Sequence, residues 1–193
     1  LGANTTGLEN TAVGKDALKA NTTGGYNTAT GYLTLDANTT GQQNTAIGHN
    51  TLGANTTGSY NTAVGKNALQ SHTTSNLSTA VGYRALASST TANNSVAVGA
   101  NALAAVTSGG VNNAVGELAG GSITTGNHNN CFGYLAGQYG TAITTGTANV
   151  MIGAYVRPNS SSASHGICIG YDLEVSDNMF GFGKAGNKVY NVF

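Results

Sequence analysis

Apolar and polar positions along the chain recur with a single period. Leu1, Leu18, Leu35, Leu52, Leu69, Leu86 and Leu103 stand 17 residues apart, and Gly120 and Gly137 continue the same column. A stricter column runs through Gly14, Gly31, Gly48, Gly65, Gly82, Gly99, Gly116 and Gly133; the next step, to Gly153, is 20 residues, and the step to Gly170 is again 17. The chain is therefore about ten copies of one unit, with a three-residue insertion near residues 137–147. Such a unit is too short for a helix pair, and Thr, Val, Asn and Gly are poor helix formers. The phrase "NTAVG" predicts a short strand between turn residues. The phrase "ALxANTT" predicts a second strand, ended by Gly7, Gly24, Gly41 or Gly58. Two strands and two turns make one rung of an all-β parallel β-roll or β-solenoid, and about ten rungs stacked at ~4.8 Å give a rod of roughly 50 Å.

Charge separates the wet columns from the dry ones. Up to Val156 the charged residues are Glu9, Lys15, Asp16, Lys19, Asp36, Lys66, Arg84 and Glu117, and all fall in the columns of Gly2, Glu9, Lys15 and Asp16. Charges are almost never buried unpaired, so these columns are outward turns or edges. Up to the same point the columns of Ala12, Val13, Gly14, Ala17 and Leu18 carry no charge. Neighbours on a strand point to opposite faces, so Ala12 and Gly14 share one face while Thr11 and Val13 share the other. Both faces avoid charge, so both are expected to be covered. One face can be covered by the opposite strand of the same rung and the other requires another chain, which predicts an oligomer. The charge pattern leaves open which face is which, and the larger side chains of the Val13 column make its face the one expected at a three-chain core.

Composition narrows the function classes. Charged residues are 7% of the 193 and the net charge is zero, so the clustered Lys and Arg of a nucleic-acid surface are missing. No stretch approaches the ~18 apolar residues of a membrane span. Leu1 opens in mid-phrase, which reads as a piece of a longer chain. The repeats occupy residues 1–173, and residues 174–193 break the period and read as a cap or junction, with Phe193 near a mature or cut end.

Candidate chemistry is sparse. No "GxSxG", "HExxH" or phosphate loop occurs, and "GFGKAG" (181–186) lacks the flanking strand and helix of one. An enzyme is not expected, nor a cofactor. His49, His72, His128 and His165 lie at spacings unlike a zinc site, so no metal centre is expected. Cys131 and Cys168 both fall in the Ala12 column, two rungs apart; at ~9.6 Å they exceed the ~7 Å limit for a disulfide, and each reads as a small buried residue in place of Ala. The Asn-Thr-Thr phrases at Asn4, Asn21, Asn38 and Asn55 match a glycosylation pattern, but Asn also builds turns and stacks into ladders. Surface recognition falls to the wet columns: Tyr26 and Tyr60 in that of Glu9, and Tyr32, Tyr83, Tyr134 and Tyr171 in that of Lys15. Exposed tyrosines offer flat faces and hydroxyls to sugars.

"NNSVAVGANALA" (93–104) resembles the head repeat of trimeric autotransporter adhesins, the YadA-like head. "NTAVGxxAL…ANTTG" looks still more like repeat arrays of bacteriophage tail fibres. The resemblance covers Leu1 to about Leu173. It implies a left-handed parallel β-roll, a homotrimer about one axis, and a fibre on the virion that supports binding to a glycan or protein receptor on the host surface. Adhesin head repeats are usually shorter than 17 residues, a departure that touches the second turn. The alternative it implies is an adhesin head on the bacterial surface. A third reading is an ice-binding solenoid, carried by the paired threonines Thr5 and Thr6, Thr22 and Thr23, and their successors to Thr90 and Thr91.

Overall fold

The computed structural model describes residues 1–192; Phe193, the expected junction end, lies outside them. Each rung contributes one three-residue strand at the "TAV" position. These are β1 (Thr11–Val13), β2 (Thr28–Thr30), β3 (Thr45–Ile47), β4 (Thr62–Val64), β5 (Thr79–Val81), β6 (Val96–Val98), β7 (Asn113–Val115), β8 (Asn130–Phe132) and β9 (Val150–Ile152). They pair in parallel and in sequence order, Ala12 against Ala29, Ala29 against Ala46, and so on without a slip. The chain is a parallel β-solenoid with 17-residue turns, as the period predicts.

In the rungs of β1 to β8 the expected second strand does not form; it is present only toward the C-terminal end, where Arg157–Pro158 pairs in parallel with Glu174–Val175. In those rungs the "ALxANTT" path is a run of turns, because its Leu18 column sits in left-handed backbone: Leu18 (φ 49) begins a file through Leu35, Leu52, Leu69, Leu86 and Leu103, all near φ 50, and Asp16 (φ 60), just before the phrase, begins a second left-handed file. A left-handed residue reverses the chain and cannot extend a strand. For a non-glycine residue it costs about 1–2 kcal/mol. Burial offsets that cost, since all six of these leucines from Leu18 to Leu103 are fully inaccessible. The turn amides are still satisfied rung to rung: Leu18 N–H donates to Thr34 O at 3.0 Å and Thr22 N–H to Thr39 O at 3.0 Å.

The core is a narrow file of Ala29, Ala46, Ala63, Ala80, Ala97 and Ala114 facing the leucine column, joined by Ala68, Ala85 and Ala102. Where glycine replaces leucine, neighbouring columns grow. A Cβ on Gly120 would stand 2.9 Å from Leu103 Cδ2, 3.0 Å from Ile123 Cδ1 and 3.5 Å from Cys131 Sγ. Ile123 and Ile143 thus fill the space left at Gly120 and Gly137, together with Cys131 and Met151, so the core keeps its density while its shape changes.

Beyond β9 the wall continues through β11 (Ile167–Tyr171) and β13 (Met179–Lys184), while β10 (Arg157–Pro158) and β12 (Glu174–Val175) pair in parallel as a separate two-stranded sheet. Gly170 pairs with Gly183, a 13-residue step, so the sheet runs on past residue 173 by way of one shortened rung. Strand β14 (Asn187–Val192) pairs antiparallel with β13 and turns the chain back at the end of the sheet.

The Val13 face lies on the outside of the single chain. Val13 is 57% exposed and Val115 40%, with Ile47, Val81, Phe132, Ile152 and Phe182 also exposed and Thr30, Val64, Val98 and Ile169 half-buried. The Ala12 face is the one turned inward.

Candidate functional site

Two buried asparagine ladders run along the rod. Asn21, Asn38 and Asn55 each donate from Nδ2 to the Oδ1 of the preceding asparagine, at 2.9, 2.8 and 2.7 Å, and to the carbonyl three residues on. Asn27, Asn44 and Asn61 form the second ladder at 3.1–3.2 Å. Asn21, Asn38 and Asn55 are inaccessible, so these Asn-Thr-Thr sites are closed to glycosylation in the folded chain. The Thr5 column is structural as well: Thr22 Oγ1 donates to Thr39 O at 3.0 Å, and the pattern repeats along the rod.

The first ladder ends at His72, which takes the next asparagine position. Its Nδ1 lies 3.1 Å from Ser89 Oγ, while Nε2 is buried without a partner. Burial lowers its pKa from 6.5 to about 4, against a smaller opposing effect of the Ser75 backbone. His128 and His165 are exposed, and His49 packs against Tyr32 with ring centroids 5.3 Å apart. Cys131 and Cys168 are free and buried, with Met151 between them in the register. Burial pushes both thiols up to about 12, which removes the thiolate that reactivity needs.

All six tyrosines of the wet columns are exposed. Tyr26, Tyr60 and Tyr83 stand apart from other rings; Tyr32 has only His49 and the ammonium of Lys15, 5.9 Å from its centroid. Tyr134 and Tyr171 are brought together. Between them in the Lys15 column stands Ala154, and into the gap swings Tyr155 from the adjacent column, held at φ 60 by a 3.1 Å hydrogen bond from its N–H to Tyr134 O. Tyr155 makes edge-to-face contacts with Tyr134 (5.4 Å, 89°), Tyr171 (5.6 Å, 84°) and Tyr139 (4.9 Å, 72°). Burial among these rings, and then the neighbouring phenols, raise its pKa.

Tyr139 comes from the three-residue insertion. In the preceding rung Ile123 N–H bonds Gly120 O; here Ile143 N–H reaches back to Gly137 O at 2.9 Å, and residues 138–142 loop out between them. The rings, Leu135 and Asp172 line a cleft of about 380 Å³. Arg157 braces it: Nη1 donates to Asp172 Oδ1 at 2.6 Å, Nε to Glu174 Oε2 at 3.3 Å, and the guanidinium carbon lies 5.4 Å from the Tyr139 centroid. The hydrogen bond to Asp172 raises the guanidinium pKa further.

Sequence reasoning missed Tyr139, Tyr155, Asp172 and Arg157 as one constellation. Two signals pointed to it: the only 20-residue step, and the alanine that interrupts the Tyr134–Tyr171 column. No protein-family profile, curated protein or solved structure matches the chain.

Proposed function

We propose that the chain is a structural fibre protein, the shaft or roll segment of a homotrimeric phage tail fibre. The exposed, chargeless Val13 stripe carries this reading. It runs the length of the rod, is apolar in nearly every rung, and belongs to a wall only one strand thick. A contiguous apolar patch of this kind marks an interaction surface. Two further copies supply a match for it, because identical rungs repeat at identical spacing. The mechanism is mechanical: backbone ladders carry load along the axis, three chains cover one another's apolar faces, and the rod, placed on the virion, supports contact with a host-surface receptor. Mass in solution tests the reading. The expected value is three times the 19.2 kDa chain; a stable monomer at micromolar concentration overturns it.

A second reading, an ice-binding solenoid, draws on the same face. Thr11, Thr28, Thr45, Thr62 and Thr79 alternate with the Val13 column, and their hydroxyls make no hydrogen bond among the described residues. The paired-threonine face serves this reading less well, because the Thr5 column spends its hydroxyls on the next rung. The two readings exclude each other, since a trimer buries the face. A monomer with thermal hysteresis supports the second; a trimer without it supports the first.

A further inference from the structure

The rod departs from its own repeat most sharply at the tyrosine cleft, and there it gathers groups that other rungs keep apart. Tyr134, Tyr139, Tyr155 and Tyr171 converge within edge-to-face contact, with Asp172 at the rim. At about 380 Å³ the cleft falls within the size of small-ligand sites, which run from roughly 300 to 1,000 Å³.

We propose that this cleft binds a neutral saccharide. Pyranose rings present apolar C–H faces and a rim of hydroxyls. Tyrosine faces match the first, and phenolic hydroxyls, which donate and accept, match the second. Asp172 adds an acceptor: a carboxylate offers about four lone-pair sites, and Arg157 engages one oxygen.

Charge decides among ligand classes. A cluster of aromatic rings beside a carboxylate is also the chemistry of a quaternary-ammonium cage. Here a guanidinium already lies near the Tyr139 ring and bridges both carboxylates, so a second cation meets its repulsion and must compete with it for Asp172 and Glu174, which together leave one negative charge. Asp172 and Glu174 oppose an anion in the same way. An uncharged polyol meets neither penalty. The site is also pre-organised, since the rings pack on one another, Tyr155 is held in left-handed backbone, and Arg157 fixes Asp172. Little ordering remains to be done on binding.

This deepens the host-surface reading above, and its test is separate: sugar binding can fail while the trimer stands, and the trimer can fail while the cleft binds. Saturation-transfer NMR on the full chain uses methyl α-D-glucopyranoside, methyl β-D-galactopyranoside, methyl α-D-mannopyranoside and N-acetylglucosamine, with tetramethylammonium as the cationic control. Transfer to the ring C–H protons of at least one sugar is expected. It should fall at least fivefold in Tyr139→Ala and in Tyr171→Ala, and stay unchanged in Gln42→Ala, an exposed position outside the cleft lining. Tyr139 sits on the looped-out insertion, so its variant keeps the rungs, and its melting temperature checks that. The proposal is overturned by no transfer to any of the four sugars, by transfer that survives Tyr139→Ala, or by stronger transfer to tetramethylammonium than to the best sugar.

Discussion

His72 follows Asn55 in the buried asparagine column and gives nothing back to it. Asn55 Nδ2 donates to Asn38 Oδ1 at 2.7 Å, yet Asn55 Oδ1 has no donor, and His72 Nε2, one rung on, has no partner either. A buried polar atom left unpaired costs about 1–3 kcal/mol. Asparagine at 72 restores the ladder: its Nδ2 reaches Asn55 Oδ1 and Ser75 O, as Asn55 Nδ2 reaches Asn38 Oδ1 and Gly58 O, and its Oδ1 accepts from Ser89. His72→Asn is expected to raise stability by about 1–3 kcal/mol in urea melts at pH 7.5. A destabilised variant would show that the imidazole is a better partner than the ladder geometry allows.

The same residue sets a pH dependence. Its folded pKa, about 4, lies below the ordinary 6.5, so between these values the unfolded chain binds the proton and the folded chain does not. Stability is therefore complete above pH 6.5, declines as pH falls toward 4, and flattens below, with a full span of roughly 3 kcal/mol. Urea midpoints of the wild type and His72→Asn, taken at pH 7.5, 5.5 and 4.5, should diverge as pH falls. Parallel curves would sink the assignment.

Gly65 shows how tightly rungs stack. Its φ is +128, and a Cβ there would stand 2.6 Å from Gly82 O. No rotamer relieves a clash between backbones, and the neighbouring rung cannot withdraw without breaking its pairing. Gly65→Ala is expected to cost on the order of 3 kcal/mol or more, among the largest single-substitution effects. Gly2→Ala, where nothing lies within 4 Å, should leave the urea midpoint unchanged. Equal midpoints for the two variants would count against the stacking distance.

The handover from leucine to isoleucine calls for a double-mutant cycle. Gly120→Leu drives a side chain into Leu103 and Ile123 and should cost about 1–3 kcal/mol. Ile123→Asn removes core volume but places a donor where Asn21 has one, aimed at the carbonyl three residues on. The double variant recreates the combination of the early rungs. A favourable coupling of about 1 kcal/mol or more is expected; additive losses would mean that the two columns do not share one cavity.

These cases mark where the sequence was readable. The period and the parallel register follow from stacking, which forces identical letters above one another, and Cys131 and Cys168 fell where the column placed them. Stacking leaves open which strand face turns inward, and only the small size of the Ala12 and Gly14 side chains pointed to theirs. The loss of the second strand from the rungs of β1 to β8 did not follow, because leucine disfavours left-handed backbone and local preference pointed to an extended run. Burial of the Leu18 column overrode that preference. The 13-residue rung from Gly170 to Gly183 was hidden because it breaks the period that made the others visible. The cleft was half legible: Tyr134 and Tyr171 share a column, but Tyr139 and Tyr155 reach them only through the looped insertion and a left-handed turn.

The trimer reading has its sharpest test on the stripe itself. Val115 is exposed on the single chain and centred in the apolar row, so a carboxylate there leaves the roll's own core untouched. In a three-fold assembly it brings three like charges to an apolar seam, and such juxtaposition costs several kcal/mol. Val115→Asp is expected to sediment as one chain of 19.2 kDa with an unchanged circular dichroism spectrum. Gln43→Asp, in the exposed column of Glu9, should keep the trimer. A trimeric Val115→Asp would move the interface off the Val13 face, and dissociation of both variants would show an association too weak to depend on which face carries the charge.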